Sequence, residues 1–216
     1  MFEKILNLIF PNICGFCNQI DNNSLCKNCE LMLSKYEINC IKDYKQDNKR
    51  YFDYLFCALR YENKVREKII EYKFNEKSYL YKTFTKIIIK NKKIYGFLKL
   101  YDIIISVPMF EDKKAVRGYN QSELIAKEIA KQVGLKFEKD VLIKIKNTKV
   151  QSTLTKTQRM ENVKNAFWVT DNTKIIDKNI ILIDDIYTTG GTVNECSKIL
   201  KQAGAKEICV VTIAKD

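Results

Sequence analysis

A parallel sheet with helices on both faces, preceded by a small four-cysteine metal ribbon, is the α/β architecture this sequence predicts. Three observations predict it. Ile180 to Ile183 is an unbroken apolar run that ends at two carboxylates, Asp184 and Asp185, and leads through a Thr/Gly segment into a helical pattern. The order strand, loop, helix occurs once before, from Asp102 to Gly134. Ahead of both stand two C-x-x-C pairs, Cys14/Cys17 and Cys26/Cys29, with eight residues between them. Short apolar runs are what a strand covered on both faces of a parallel sheet requires, and their alternation with helical patterns is the mark of βαβ units.

Length and composition set the limits. A chain of 216 residues holds one substantial α/β core with a small appendage. Two prolines and seven glycines argue against a long disordered linker. The net charge of +12 and the pI near 9.2 admit a polyanionic partner. An even excess of Lys, Asn and Ile along the chain accounts for the same charge as solvated surface, so both readings stay open. Met1 to Phe10 carries Glu3 and Lys4 and lacks a signal-peptide core, and every apolar run falls short of the ~20 residues of a membrane span. A cytoplasmic protein without a membrane span is expected.

Taken in order, the cysteines come first. Two C-x-x-C pairs across a short polar loop bring four thiolates within reach of one tetrahedral zinc, and the chain has no histidine to substitute for any of them. A closed site of this kind, with Cys14, Cys17, Cys26 and Cys29 as ligands, stabilises a ribbon too small to hold itself together by a hydrophobic core. Disulfides do not suit a cytoplasmic chain. Cys40 is the alternative ligand, while Cys57, Cys196 and Cys209 sit in apolar contexts and read as core. The charged stretch from Tyr36 to Arg50 holds the expected boundary, with residues 1–45 as an N-terminal helix and zinc finger and 46–216 as the α/β domain.

Tyr54 to Leu59 is the first predicted strand. Helical spacing follows at Val65, Ile69, Ile70 and again at Phe84, Ile87, Ile88. On the first of these helices Arg66 and Lys73 either face a phosphate or lie on a solvated face, and the solvated face is the expectation. Asp102 to Val107 is a core strand closed by Pro108. In the segment from Arg117 to Ser122, Gly118 permits a tight bend, Arg117 is a planar donor suited to phosphate oxygens, and Asn120 or Ser122 caps the helix that runs to Gly134. Standing between a strand and a helix, this loop reads as an anion site. Val141 to Ile145 is a further strand. The polar stretch from Lys146 to Asn165 has the length and composition of a lid, Ala166 to Val169 forms a hairpin strand, and Ile208 to Ile213 ends the core.

The last element before that strand carries the chemistry. Asp184 and Asp185 stand where an apolar strand meets the usual mouth of an open α/β site. Thr188, Thr189, Gly190, Gly191 and Thr192 then offer hydroxyls and a backbone open to close approach. Thr192 to Glu195 reads as a capping box and Gly204 as the helix stop. A phosphate there meets free N–H groups and the positive end of a helix dipole. No Lys-Ser/Thr pair follows the glycines, so this is not a P-loop. The stretch resembles the phosphoribosyl pyrophosphate (PRPP) loop of type I phosphoribosyltransferases. The resemblance implies that the paired acids contact the ribose hydroxyls and that Tyr187 to Thr192 holds the 5-phosphate.

The four cysteines, Val107-Pro108, Arg117 to Ser122, the spaced Thr148, Gln151, Leu154, Arg159 and Asn162, Ala166-Phe167 and this loop together resemble the ComF family over nearly the whole chain. That resemblance implies a type I phosphoribosyltransferase-like domain binding PRPP with Mg²⁺, an N-terminal zinc finger, and a part in natural transformation beside single-stranded DNA and a competence helicase-like protein. It implies PRPP contacts from Gly118 and Arg159, and a catalytic set of Asp184, Asp185 and Arg117 stabilising an oxocarbenium-like transition state and the leaving pyrophosphate. Lys113 and Lys114 stand where relatives often carry another arginine. No general base is assignable from the residues. Three functions stay open: a transferase of unknown acceptor, a non-catalytic PRPP or nucleotide-binding adaptor, and a single-stranded DNA-binding module.

Overall fold

The computed structural model describes residues 12–38, 40–148 and 156–216. Its main sheet has six strands in the order β1-β2-β8-β7-β3-β4, from β1 (Ile41–Asp43), β2 (Tyr54–Arg60), β3 (Ile103–Ser106), β4 (Lys136–Phe137), β7 (Asn179–Tyr187) and β8 (Glu207–Lys215). Every pairing is parallel except that of β1 with β2 at one edge. A separate two-stranded antiparallel hairpin joins β5 (Leu142–Lys144) to β6 (Phe167–Val169).

Both faces of the sheet are covered, and the side-chain period of two sorts its residues between them. From β7, Ile181 and Ile183 enter one buried cluster, shared with α2 (Asn63–Phe74), α3 (Leu80–Ile89), α4 (Lys92–Leu98) and α6 (Gln121–Val133). Ile180 and Leu182 enter the other, under the hairpin and α8 (Gly191–Gln202). This is why four consecutive apolar residues occur there: each face needs two of them.

The cysteine ribbon with its short helix α1 (Lys27–Leu33) packs on the first cluster. Cys14, Phe16, Leu25 and Leu33 are buried in it. Thr83 and Lys86 of α3 donate to the carbonyls of Ser24 (2.7 Å) and Leu25 (3.2 Å). At Gly15 a side chain would stand 2.4 Å from the Thr83 hydroxyl, so glycine is needed for this approach. The sheet itself begins at Ile41, inside the segment assigned above to the N-terminal unit.

Three local expectations are corrected. The strand expected to stop at Asp184 continues to Tyr187, because β8 goes on pairing with it as far as Tyr187 and Lys215 after β3 has left at Ile183. A helix, α5 (Glu111–Arg117), lies between β3 and the Arg117 loop; it buries no residue, so its sequence has no apolar stripe to betray it. The capping box is absent: Gly190, in the left-handed region at φ 77°, is the N-cap of α8 without a side-chain bond, and Glu195 accepts from the Asn165 N–H at 2.9 Å instead. Part of the expected lid is a helix, α7 (Lys156–Val163). Residues 149–155 of that lid, with Gln151 and Leu154, and residues 1–11, where the N-terminal helix is expected, lie outside the described residues.

Candidate functional site

The carboxyl ends of β3 and β7 open into a cleft of about 1000 Å³. Its position follows from the pairing just described. Once β3 separates from β7 at Ile183, the flank of β7 on that side is unpaired, and Asp184 and Asp185 line the opening. The Thr188–Thr192 segment forms the adjoining wall at the start of α8. At Gly190 an added Cβ would lie 2.5 Å from the Tyr187 hydroxyl and 2.6 Å from an Arg50 guanidinium nitrogen, so both the positive φ and the space demand glycine. Tyr187 is a buried wall residue, packed edge-on to Phe52 at 6.4 Å between centroids.

The two acids differ. Asp184 Oδ1 accepts from the Ser122 hydroxyl at 3.2 Å and from the Asp185 N–H at 2.9 Å. Burial, and then the neighbouring Asp185 charge, push its carboxyl up to about 7. Asp185 instead forms an ion pair with Lys73 of α2, Nζ to Oδ2 2.8 Å. The expectation of a solvated face for Lys73 is therefore overturned: α2 turns Arg66, Ile70, Lys73 and Phe74 toward the cleft and buries Val65, Ile69 and Tyr72.

Across the opening, Arg117 is half-buried, donates to Gln121 Oε1 at 2.9 Å and lies over the Phe74 ring at 4.9 Å from the centroid. Gln121 is held in turn, its carbonyl accepting from the Tyr72 hydroxyl at 2.9 Å. Asn120 caps α6, accepting from the Ser122 N–H at 3.1 Å, and donates to the Val107 carbonyl at 3.0 Å, so β3 and the α6 start are tied together. Gly118 ends α5 at φ 81° and is not among the cleft-lining residues. Lys113 and Lys144, not singled out above as site residues, also line the cleft. Lys113 donates to the Thr148 carbonyl at 2.7 Å and Lys144 to the Thr148 hydroxyl at 2.8 Å. Burial, then Lys113, lower the Lys144 ammonium. Lys114 is turned away to Glu123, 3.5 Å. Arg159 falls on α7, with its side chain outside the described residues.

Residues 120–216 match the model of the phosphoribosyl transferase domain. "Competence protein F" of Haemophilus influenzae is 27% identical over 215 residues, 97% of this chain and 93% of that protein. "Competence protein ComFC" of Streptococcus pneumoniae is 26% identical, covering 99% of this chain and 84% of that one. Over nearly its whole length the chain is thus similar to competence proteins of the ComF type. Among solved structures, the glutamine PRPP amidotransferase of B. subtilis is similar over 61% of this chain, with 19% identity and a TM-score of 0.41, and the match takes in 25% of that chain. The type I phosphoribosyltransferase-like fold expected of a ComF chain is the one described above, with a mixed sheet in place of a wholly parallel one.

The four cysteines come together as expected. The sulfurs of Cys14, Cys17, Cys26 and Cys29 all lie within 4.8 Å of one another, and those of Cys17 and Cys26 are 3.8 Å apart. Tetrahedral ligation with Zn–S bonds near 2.3 Å requires sulfurs about 3.8 Å apart, so the set can hold a metal such as zinc. Its electrostatics agree. Burial raises Cys14, but N–H groups of Cys26, Cys17 and Phe16 outweigh it and bring the thiol down to about 7. Burial and the other sulfurs push Cys29 well up. Four thiolates so close need a cation. Cys40 is exposed and outside the cluster, while Cys57, Cys196 and Cys209 are buried core residues.

Proposed function

We propose that this ComF protein binds PRPP with Mg²⁺ in the cleft at the carboxyl ends of β3 and β7, and serves DNA uptake in transformation. The observation that carries the reading is the meeting, in one cleft, of the Asp184/Asp185 pair, the Thr188–Thr192 loop at a helix start and Arg117. Backbone N–H groups and threonine hydroxyls of that loop suit the 5-phosphate. Asp184 and Asp185 suit the ribose hydroxyls, and Arg117, Lys113 and Lys144 offer cationic donors to a pyrophosphate. The two carboxylates are hard oxygen donors, the type Mg²⁺ takes while keeping several waters; when bound with PRPP it would neutralise the pyrophosphate and ease its departure.

Of the residues themselves, Arg117 would bind and orient the leaving group. Asp185 would stabilise positive charge at the anomeric carbon. Asp184, poised near neutrality, is suited to hold or release a proton at a ribose hydroxyl. Arg159 is kept as a PRPP contact from α7, and Gly118 as the turn that aims Arg117. The cysteine set would hold a structural zinc. Dividing the chain into a zinc finger (1–45) and a phosphoribosyltransferase-like domain (46–216) is then a division by chemistry, since the two share one buried cluster.

The DNA role comes from the relatives' names as competence proteins. The charge of +12 supports contact with single-stranded DNA, and a cytoplasmic site beside a helicase-like partner is part of the same reading. Among the described residues no helix is long and apolar enough to cross a membrane. Calorimetric titration with PRPP, with and without Mg²⁺, tests the proposal. Mg²⁺-dependent binding that disappears in the Asp184→Asn/Asp185→Asn variant is expected, and absence of binding by the zinc-loaded wild type would refute it. Pyrophosphate release on adding a nucleobase would make it a transferase; binding without turnover would make it a non-catalytic adaptor.

A further inference from the structure

We propose that Lys73 is a positioning residue that holds the divalent-cation place at Asp185 through its ion pair and exchanges it for ligand phosphate on binding. The inference rests on the PRPP reading above and adds to it a residue from outside the acid pair, the Thr/Gly loop and the Arg117 loop.

Positions 66, 70, 73 and 74 of α2 share one face, which lines the cleft, while Val65, Ile69 and Tyr72 anchor the adjoining face in the core. Tyr72 is held on both sides, its ring against Phe84 at 5.4 Å and its hydroxyl on the Gln121 carbonyl. The base of Lys73 is thus fixed beside the acids, and only its four-carbon stem is free to move. The ammonium lies 2.8 Å from Asp185 Oδ2, with the two side chains 20% and 16% exposed, so water screens the pair only in part.

Charge then decides what this bridge does. Arg117 and Lys144 act on the two acids from further away, whereas the Lys73 ammonium sits directly on the Asp185 oxygen that a divalent cation would use. Lys73 and the metal therefore compete. A polyanionic sugar diphosphate arriving with its metal frees the ammonium in a cleft that now holds phosphate oxygens, and the stem lets it turn to them. Removing the ammonium should thus act in opposite directions on the two ligands, strengthening the bare cation and weakening the metal–PRPP pair. A bridge that merely supports the fold would do neither.

Mn²⁺ alone, followed by the electron paramagnetic resonance of the free ion, is titrated into zinc-loaded wild type, Lys73→Met, Lys73→Arg and Lys73→Met/Asp185→Asn, and PRPP–Mg²⁺ into the first three by calorimetry. The expected result is Mn²⁺ binding about tenfold tighter in Lys73→Met, unchanged in Lys73→Arg and lost again in the double variant. PRPP–Mg²⁺ should bind about tenfold weaker to Lys73→Met. Equal or weaker Mn²⁺ binding by Lys73→Met overturns the competition, and equal PRPP affinity overturns the exchange. Lys73→Gln, which keeps a donor without the charge, takes the same test should the apolar variant unfold. If wild type fails to bind PRPP, the PRPP reading falls and the Mn²⁺ comparison still decides what Lys73 does at Asp185.

Discussion

Asp184 makes the cleft a source of pH-dependent instability. Burial and Asp185 raise its carboxyl to about 7 in the folded chain, against an ordinary carboxylate value near 4 in the unfolded one. Between those two values the native state binds the extra proton, so stability falls as pH rises through the window and levels off above 7. Integrated from pH 5 to 8, this raised carboxyl costs roughly 3 kcal/mol. The chain has no histidine, so few other groups titrate there, and loading the ribbon with zinc keeps Cys14 as thiolate. Thermal melts of zinc-loaded wild type and Asp184→Asn at pH 5 and 8 isolate the effect, because every other titration cancels between them. The variant should gain on wild type by about 6–12 °C in Tm over that span, taking 2–4 °C per kcal/mol for a chain of this size. Parallel pH profiles for the two proteins would refute the reasoning. The same asymmetry predicts proton release when a divalent cation occupies the site near neutral pH.

Stripping the cysteine cluster with a chelator should lower Tm by well over 5 °C, and zinc should restore it, because the ribbon's core is continuous with that of the sheet; an unchanged melt would show that the metal does not support the fold. Phe16→Ala, which empties a buried site against Phe84 at 6.4 Å, should cost about 3 kcal/mol by urea unfolding. Gly190→Ala forces a side chain onto the Tyr187 hydroxyl and Arg50 at a positive φ; about 2 kcal/mol of stability and most of the PRPP affinity should be lost together, read by melting and calorimetry.

How much of this was legible in the sequence depended on whether a feature repeats along the chain or arises only across it. The β7 strand was legible because both its faces are buried and four apolar residues in a row say so. The loop from Thr188 to Thr192 was legible because its residue types are unusual in that order. The true end of β7 was not, since the pairing partner that carries the strand past Asp184 lies 28 residues further along, at Thr212. Nor was the orientation of α2. Its apolar residues say which face is buried, but whether the opposite face meets solvent or a cleft depends on the end of β7 lying beside it. Lys73 therefore reads as a surface lysine until the fold brings Asp185 to it. Lys144 was hidden for the same reason, and Lys113 stood out only through the family resemblance, since the two converge on Thr148 from separate elements.

The ribbon packs on α3 while α2 lines the cleft, and the packing between them is unbroken. Phe16 of the ribbon meets Phe84 edge-on, Phe84 meets Tyr72, and Tyr72 meets Tyr119 at 5.8 Å. Tyr72 also donates to the Gln121 carbonyl, and Gln121 receives the Arg117 guanidinium. Each contact in the series is an aromatic face or a hydrogen bond of fixed geometry, so the ribbon braces the wall that carries Lys73 and Arg117 together. This arrangement gives the cleft a rigid back. A metal held by the four cysteines would act on the cleft through this packing without touching its ligand. Four thiolates organise Phe16 and Leu25, those residues fix α3 and α2, and α2 presents its cationic face to the acids at the end of β7.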